Sequence, residues 1–556
     1  MHDTMPFGPG KANSSGARAP VLEIIGLSIP LPKKADRAYA VQDLNLSIAP
    51  GQTLCVVGES GSGKSMTAHA VMGLLPRPIK PSAGEIRLSG RDLLQLDEAG
   101  WREVRGAEIG MIFQEPMTSL NPLTRIGAQI METFAVHGRL STPERKARML
   151  ELLDEVGLPE PRRIANAFPH ELSGGQRQRV MIAMALALEP KLVIADEPTT
   201  ALDVTTQAQI LALIKDLQRR RGMAVLFITH DFGVVADVAD SVAVLQEGRL
   251  VEAGPADTVL TTPQQEYTKR LLAAVPSLTP PPPRDLAGAR PLLSVKGLRK
   301  RFSTRRLFRP GRDVMAVSDV SFVIRSGETL GLVGESGSGK STVGRCLTRL
   351  IEPDAGEIRI GETNLSTLSQ RQLRPHRKKI QMVFQDPFAS LNPRRTVGQI
   401  IAEGPIVQGE SQSAAFARAR RLLELVGLSS QAFERFPHEF SGGQRQRIGI
   451  ARALALEPEV LIADEPLSAL DVSIQAQILT LIQELQQRLG LAILFVTHDL
   501  RVAAQVCDRI AVMQQGRIVE LRPTAELFAA PEHDYTRRLL SAVPGLSRLS
   551  RPIYAH

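Results

Sequence analysis

Cysteine and aromatic residues are scarce in this chain of 556 residues, which contains 3 Cys, 1 Trp and 4 Tyr. Cys55, Cys346 and Cys507 lie far apart in apolar segments and form no C-x-x-C pair. This pattern predicts reduced structural thiols in a cytoplasmic protein and argues against a zinc or iron–sulfur site. The few Trp and Tyr residues offer no stacking platform of the kind that single-stranded nucleic acids need, so no nucleic-acid partner is predicted.

Long apolar runs are also absent from the sequence. No run approaches the roughly 18–20 residues that cross a bilayer, and residues 223–229 form a typical run, short enough for a buried strand. Residues 1–19 are rich in Gly, Ala, Pro and Ser and lack an apolar h-region, which predicts a disordered tail and not a signal peptide. The net charge of +9, from 67 Lys and Arg against 58 Asp and Glu, is compatible with a solvated Arg-rich surface or with a weak preference for an anionic membrane face.

The octapeptide Gly-Glu-Ser-Gly-Ser-Gly-Lys-Ser occurs twice, at residues 58–65 and 334–341. Each copy follows an apolar strand-like run and leads into a helix-like one, which is the context of the phosphate-binding loop G-x-x-x-x-G-K-[ST]. In such a loop the glycines turn backbone N–H groups towards the phosphates, the lysine reaches the β- and γ-phosphates, and the serine can ligate Mg²⁺. The sequence therefore predicts two nucleoside triphosphate sites, one at Gly58, Glu59, Ser60, Gly61, Ser62, Gly63, Lys64 and Ser65, and one at Gly334, Glu335, Ser336, Gly337, Ser338, Gly339, Lys340 and Ser341.

The two halves of the chain repeat one another. The phosphate loops are 276 positions apart, and later landmarks such as Asp196 and Asp464 keep a spacing of 268 as far as a Tyr-Thr-(Lys/Arg)-Arg-Leu-Leu tail in each half. Between the halves, residues 276–291 include four consecutive prolines, which favour polyproline II and cannot join a sheet. We predict homologous domains at 20–275 and 292–545, a Pro-rich linker at 276–291, and tails at 1–19 and 546–556.

Short apolar runs alternate with helical patterns in each half. Residues 192–195 and 224–229 of the first half, and 460–463 and 492–497 of the second, are predicted to be buried parallel strands. Residues 126–185 and 397–454 have a mostly helical period. This alternation predicts an α/β nucleotide-binding core with a helical insertion, built twice.

Two of these apolar runs are followed by an Asp-Glu pair, at residues 196–197 and 464–465. A carboxylate at the carboxyl end of a parallel strand beside a phosphate loop can hold Mg²⁺, and we assign this role to Asp196 and Asp464. The adjacent Glu197 and Glu465 can polarise an attacking water. About twenty residues earlier, Ser-Gly-Gly-Gln opens a helix at 173–176 and at 441–444, which predicts a further anion-binding helix N-terminus in each half.

These motifs, in this order, resemble the ATP-binding cassette (ABC) family over almost the whole of both halves. The resemblance implies ATP and Mg²⁺ as ligands, D-loops at residues 201–203 and 469–471, and His230 and His498 as switch histidines that contact the γ-phosphate. It implies two P-loop NTPase cassettes in tandem, each a RecA-like α/β core with a helical signature subdomain, packed head to tail so that each ATP lies between one phosphate loop and the other signature. The resemblance implies that the catalytic residues are Glu197, His230, Glu465 and His498. It implies further ATP-binding residues at Gln114, Ser173, Gly174, Gly175, Gln176, Gln385, Ser441, Gly442, Gly443 and Gln444. The Mg²⁺ ligands that it implies are Ser65, Gln114, Asp196, Ser341, Gln385 and Asp464.

The extended Q-loops at residues 113–122 and 384–393 and the repeated Tyr-Thr tail resemble the peptide/nickel importer ATPases. Within that group, fused-cassette chains of this length are similar to the ATPases of microcin C and oligopeptide importers, and less closely to those of glutathione importers. The resemblance implies an energy-coupling ATPase on the cytoplasmic side of the bacterial inner membrane, held there by two transmembrane permease subunits that act with a solute-binding protein. A ribosome-associated ATPase with two cassettes remains an alternative, although the short Pro-rich linker does not favour it.

Two features depart from this family pattern. Many members carry a cysteine cluster after the Tyr-Thr tail, and this chain has none, so no cluster-based function is carried over. The family also stacks an aromatic residue on adenine upstream of the phosphate loop. Phe302 fits this role in the second half, whereas Tyr39 is a poorer candidate in the first half.

Overall fold

The computed structural model describes residues 19–546 except positions 34, 201, 287, 304–312 and 469. Several predictions fall partly outside the described residues: most of the disordered N-terminal tail, all but the first residue of the C-terminal tail, position 287 of the linker, and the D-loop alanines Ala201 and Ala469.

Two compact units divide the described residues. The first unit draws on Met1–Pro198, Ala212–Thr229 and Val238–Gln265, and the second on Thr199–Leu211, His230–Asp237 and Glu266–His556. The second unit therefore includes two short segments that belong, by sequence, to the first repeat. The predicted domain bounds and the predicted head-to-tail packing of the cassettes stay predictions.

The first unit contains two sheets. Its six-stranded sheet is parallel except at one edge, and its central position is taken by Thr53–Val57, the strand that leads into the phosphate loop. In spatial order the strands are Arg249–Pro255, Ser241–Gln246, Thr53–Val57, Ala224–Ile228, Leu192–Asp196 and Ile109–Ile112. The four-stranded antiparallel sheet has the order Tyr39–Ile48, Leu22–Pro30, Ala83–Leu88 and Arg91–Asp92.

The first repeat also contains α-helices and 3₁₀ turns, most of them in the first unit. The α-helices are Lys64–Val71, Glu98–Val104, Pro116–Ser119, Ile126–Val136, Thr142–Glu155, Pro161–Asn166, Gly174–Ala185, Val204–Arg221, Phe232–Val238, Ala256–Thr261 and Glu266–Ala273, and the 3₁₀ turns are Leu93–Gln95 and Pro169–Glu171. The strands Thr53–Val57, Leu192–Asp196 and Ala224–Ile228 are buried at every position, which explains why they read as continuous apolar runs.

The second unit repeats the two sheets. Its six-stranded sheet has the order Ile380–Val383, Val460–Asp464, Ala492–Thr497, Thr329–Val333, Arg509–Gln514 and Arg517–Pro523, with only the last strand antiparallel. Its antiparallel sheet has the order Asp313–Arg325, Pro291–Ser303, Ala355–Ile360 and Thr363–Asn364.

The second repeat has helices at places that correspond to those of the first, although the 3₁₀ segment Ser430–Glu434 stands where the first repeat has the α-helix Pro161–Asn166. The α-helices are Lys340–Leu347, Gln370–Leu373, Pro387–Ser390, Val397–Val407, Gln412–Leu425, Gly442–Leu454, Val472–Leu489, Leu500–Val506, Thr524–Ala529 and Asp534–Ser541, and the 3₁₀ segments are Leu365–Thr367, Arg374–Lys379, Ser430–Glu434 and Pro437–Glu439. The α/β class, the duplicated core and the helical insertions are confirmed.

Several smaller predictions can be compared with this fold. All three cysteines are buried free thiols. Within the predicted linker, Arg284 contacts other residues of the second unit, with its Nε atom 2.7 Å from Asp508 Oδ1 and its Nη1 atom 2.9 Å from Gln486 Oε1. Over the described part of the chain, every helix is too short or too polar to cross a lipid bilayer.

Candidate nucleotide-binding sites

Both phosphate loops have a backbone that only glycine adopts at their first position. Gly58 has φ +151° and Gly334 has φ +155°. A Cβ atom at Gly58 would lie 2.2 Å from the carbonyl oxygen of Leu245, and one at Gly334 would lie 2.2 Å from that of Met513. Because neither carbonyl can move without breaking its strand, the glycines allow each loop to fold tightly against the central sheet.

The phosphate-loop lysines are buried and anchored within their own loops. The Nζ atom of Lys64 donates to the carbonyl oxygens of Gly58 at 2.7 Å and Glu59 at 2.8 Å. Lys340 makes the equivalent bonds to Gly334 at 2.7 Å and Glu335 at 2.8 Å. Burial lowers the pKa of Lys340, although nearby carboxylates oppose that shift. Each ammonium group is therefore held at the start of a helix. The N–H groups of a helix N-terminus also attract anions, so both features favour phosphate at the same place.

A serine hydroxyl and a strand-end carboxylate meet beside each loop. Ser65 Oγ lies 3.1 Å from Asp196 Oδ1, and Ser341 Oγ lies 2.9 Å from Asp464 Oδ1. Burial, only partly offset by the serine hydrogen bond, raises the pKa of both aspartates. A hydroxyl and a carboxylate oxygen are hard oxygen donors, so each pair fits a Mg²⁺ ion whose other ligands come from phosphate or water.

A glutamine and a glutamate are paired at each site. Gln114 Nε2 donates to Glu197 Oε2 at 2.8 Å, and Gln385 Nε2 donates to Glu465 Oε2 at 2.8 Å. Both glutamates have positive φ, +44° at Glu197 and +45° at Glu465. An L-residue rarely adopts this backbone, and such strain concentrates at functional sites. The turn directs each carboxylate to its glutamine immediately after the strand that ends in the aspartate.

In the second unit a histidine joins the glutamate. His498 Nδ1 lies 3.4 Å from Glu465 Oε1. Burial favours the neutral forms of both groups, but their mutual hydrogen bond and opposite charges outweigh it, so the pKa of Glu465 lies below its ordinary value and that of His498 lies above. His230 belongs to the second compact unit, whereas Glu197 belongs to the first.

The pH dependence of this pair can be tested directly. Glu465→Gln removes the negative partner that most opposes burial, so the pKa of His498 should fall from its raised value in the wild-type protein, although Asp499 still favours the charged ring. The raised pKa of the histidine stabilises the fold at pH values below the ordinary histidine pKa, and this contribution is lost as pH rises through the raised pKa. The lowered pKa of the glutamate stabilises the fold at pH values above the ordinary glutamate pKa, and this contribution is lost as pH falls through the lowered pKa. The stability loss in Glu465→Gln should therefore be largest between about pH 4.3 and 6.5.

Histidine ring NMR over a pH series would measure this shift, with the His498 signal assigned by its loss in His498→Gln. The other nine of the 10 histidines serve as internal controls, since their titrations should not move. An unchanged or higher pKa of His498 in Glu465→Gln would contradict the pairing.

The Ser-Gly-Gly-Gln segments form helix N-termini, as predicted. Ser173 and Ser441 are the N-cap residues of Gly174–Ala185 and Gly442–Leu454. In each capping box the serine N–H donates to the glutamine side chain and the glutamine N–H donates to the serine hydroxyl, with lengths of 3.0 and 3.3 Å in the first half and 3.0 and 3.4 Å in the second. This reciprocal capping explains the Ser and Gln positions of the motif.

Three contacts at the second site were not predicted. Ser468 Oγ lies 3.1 Å from the carbonyl oxygen of Gln385, and Glu335 contacts both Thr205 and Tyr535. The Tyr-Thr tail of each half was visible in the sequence, but only as a repeated motif without an assigned contact.

The predicted adenine-stacking residues lie on strands of the antiparallel sheets. Phe302 is 41% exposed at the end of Pro291–Ser303, with Lys300 Nζ 5.7 Å from its ring centroid. Tyr39 is half-buried at the start of Tyr39–Ile48. Their role in stacking stays a prediction.

Comparison with known proteins finds two matching family profiles and similar solved structures. The ABC transporter family profile matches residues 41–200 and 317–468. The profile of the oligopeptide/dipeptide transporter, C-terminal region, matches residues 251–310 and 519–555. Among solved structures, the chain is similar to a dimeric post-hydrolysis state of the ATP-binding cassette MJ0796 bound to ADP and Pi, with 32% identity, a TM-score of 0.38, and coverage of 42% of this chain and 98% of that chain.

Curated relatives match nearly the whole chain. The glutathione import ATP-binding protein GsiA of Salmonella choleraesuis (strain SC-B67) is 49% identical over 557 residues, which cover 94% of this chain and 89% of that protein. The protein of the same name from Escherichia coli O157:H7 is 48% identical with the same coverage. Since the ABC profile covers more than half of the sequence and includes both phosphate loops and both Asp-Glu pairs, the chain belongs to the ABC transporter family, as an ATPase with two cassettes.

Proposed function

We propose that this protein is the energy-coupling ATPase of an importer for small peptides or peptide-like compounds, with glutathione as one candidate cargo. The observation that carries the proposal is the duplicated C-terminal region, which matches the oligopeptide/dipeptide transporter profile after each cassette. The name of the relatives, which describes glutathione import, supports the same class of cargo. Glutathione is itself a short peptide, so the two lines of support agree.

At each site the phosphate chain of ATP is proposed to bind the loop N–H groups and the loop lysine. Lys64 and Lys340 donate hydrogen bonds to carbonyl oxygens of their own loops, and would instead contact the β- and γ-phosphates when ATP binds. Ser65 with Asp196, and Ser341 with Asp464, would hold Mg²⁺, with Gln114 and Gln385 as further ligands. When bound, the metal neutralises charge on the transferred phosphoryl group.

Hydrolysis is proposed to depend on Glu197 and Glu465, which polarise the attacking water. The bond from Gln385 fixes one oxygen of Glu465 while His498 fixes the other, so the carboxylate is held in a single orientation. The lowered pKa of Glu465 keeps it ionised and able to accept a hydrogen bond from water. We propose that His498 also contacts the γ-phosphate, and that His230 does so in the first cassette.

Neither half has lost a predicted residue of this chemistry, so both sites are proposed to hydrolyse ATP. The proposed partners are two transmembrane permease subunits and a solute-binding protein, and the proposed location is the cytoplasmic side of the bacterial inner membrane. Closure of the cassettes on ATP and their reopening after hydrolysis would drive the permeases.

Uptake in cells that lack this gene tests the proposed cargo. We expect deletion to abolish uptake of radiolabelled glutathione, a labelled dipeptide or a labelled oligopeptide, and to leave ⁶³Ni²⁺ uptake unchanged. Wild-type protein should restore the lost uptake, and Lys64→Ala/Lys340→Ala should not, at matched expression. A deletion strain with normal uptake of all three peptide substrates would contradict the proposal, and a selective loss of ⁶³Ni²⁺ uptake would assign the importer to nickel.

A further inference from the structure

Tyr535 lies in the C-terminal region, on the helix Asp534–Ser541, and its side chain is only 3% exposed. The start of this helix is fixed to the sheet, because the Glu520 carboxylate accepts hydrogen bonds from the backbone N–H groups of Glu532 at 2.9 Å and His533 at 3.1 Å. His533 Nδ1 in turn accepts from the Tyr535 N–H at 3.1 Å. The position of the tyrosine ring is therefore set by the strand Arg517–Pro523 and by the hydrophobic core.

The tyrosine hydroxyl reaches the second phosphate loop. The backbone N–H of Glu335 donates to Tyr535 Oη at 3.1 Å. The carbonyl oxygen of the same residue accepts from Lys340 Nζ at 2.8 Å. Burial raises the pKa of Tyr535 to about 12, so the hydroxyl stays protonated and neutral at physiological pH. One residue of the loop thus joins the C-terminal region to the phosphate-loop lysine.

A third contact holds the side chain of Glu335. Thr205 Oγ1 lies 2.6 Å from Glu335 Oε1 and 2.8 Å from Asp203 Oδ1, so its hydroxyl hydrogen is shared by the two carboxylates. Asp203 also accepts from the N–H of Thr206 at 2.9 Å, which fixes it at the start of Val204–Arg221. With its N–H, its carbonyl and its carboxylate all engaged, Glu335 has little freedom to turn.

We propose that Tyr535 is a positioning residue for the second nucleotide site. The Tyr535 hydroxyl holds the Glu335 peptide, and thereby maintains the loop conformation in which Lys340 receives the phosphates. The inference rests on the proposed role of Lys340. Loss of the hydroxyl leaves a half-buried N–H without its partner and lets the loop leave the binding-competent conformation. Apparent nucleotide affinity falls with the fraction of competent loops.

The test variant is Tyr535→Phe, which keeps the ring and removes only the hydroxyl. In a Lys64→Ala background, binding of a fluorescent ATP analogue with Mg²⁺ reports mainly the second site. We expect affinity there to fall about five-fold, the effect of losing a hydrogen bond worth about 1 kcal/mol. In the otherwise wild-type chain, KM for ATP should rise while kcat stays within about two-fold, because the loss is in loop preorganisation.

Two further variants make the outcome decisive. Tyr267→Phe, the same change on the corresponding helix Glu266–Ala273 of the first repeat, should leave the affinity of the second site unchanged. Lys340→Ala should abolish binding there; if it does not, the assignment of the site itself is wrong. If Lys340→Ala abolishes binding but Tyr535→Phe has no effect on affinity, only the inference about Tyr535 is overturned.

A merely structural role for Tyr535 gives a different result. It predicts a kcat that falls with the folded fraction, with no rise in KM or in the dissociation constant of the ATP analogue. That result would overturn the positioning role, whereas a raised KM and a raised dissociation constant with kcat nearly unchanged support it.

Discussion

Glu465→Gln is expected to lower ATP turnover at the second site by about 10²- to 10⁴-fold, the range for losing a positioned acid–base group. The carboxylate is held between the Gln385 amide at 2.8 Å and His498 Nδ1 at 3.4 Å. In the variant, only one of the two terminal atoms of the introduced amide can accept a hydrogen bond. The amide therefore cannot take a proton from water while it keeps the contacts with both Gln385 and His498. ATP binding should persist, because Lys340, Ser341 and Asp464 are untouched.

Turnover should be measured in a Lys64→Ala background, with nucleotide binding followed in parallel. Glu459→Gln is the matched control, since Glu459 is a partly exposed partner of Lys379 at 3.2 Å and has no proposed role in hydrolysis. Glu197→Gln in a Lys340→Ala background should give a comparable loss at the first site. A Glu465→Gln variant with full turnover would show that another group activates the water.

Gly339→Ala should destabilise the second unit and abolish nucleotide binding there. Gly339 has φ +105°, and a Cβ atom would lie 2.1 Å from the carbonyl oxygen of Ala316 and 2.9 Å from Met513 Cε. The methionine can rotate away, but the carbonyl belongs to the strand Asp313–Arg325 and is fixed. Overpacking of about 1–3 kcal/mol and left-handed backbone strain of about 1–2 kcal/mol together predict a loss of about 2–5 kcal/mol.

Gly337→Ala is the matched control for this prediction. Gly337 also has positive φ, +77°, but a Cβ atom there would meet nothing within 4 Å. Only the backbone strain remains, so a loss of about 1–2 kcal/mol is expected. Urea unfolding of the two variants separates steric overlap from strain. Equal losses in both would show that the contact with Ala316 does not limit the loop.

Much of the fold could be predicted because burial on both faces makes parallel strands read as apolar runs. The run at 192–195 is a strand, but the strand ends one residue later, at Asp196, because its ladder continues to Ile228. The apolar run at 224–229 is one residue longer than its strand, which ends at Ile228. Element ends depend on such pairings between distant segments, and local composition does not record them.

The candidate site was predictable where chemistry is local in sequence, and less so where it is assembled from distant segments. The loop lysines, the Asp-Glu pairs and the Ser-Gly-Gly-Gln caps each depend on neighbouring residues. By contrast, the bond between Glu335 and Tyr535 joins residues 200 positions apart. The positive φ of Glu465 is likewise a property of the folded turn, since glutamate has no intrinsic preference for it.

The central claim is that both cassettes are active nucleotide sites, and nucleotide counting tests it most directly. The double variant Glu197→Gln/Glu465→Gln should be incubated with Mg²⁺ and ATP, freed of excess nucleotide and denatured, and its bound nucleotide quantified by chromatography. The proposed chemistry predicts about two molecules of unhydrolysed ATP per chain. One molecule or fewer per chain, or recovery of the nucleotide as ADP, would contradict it.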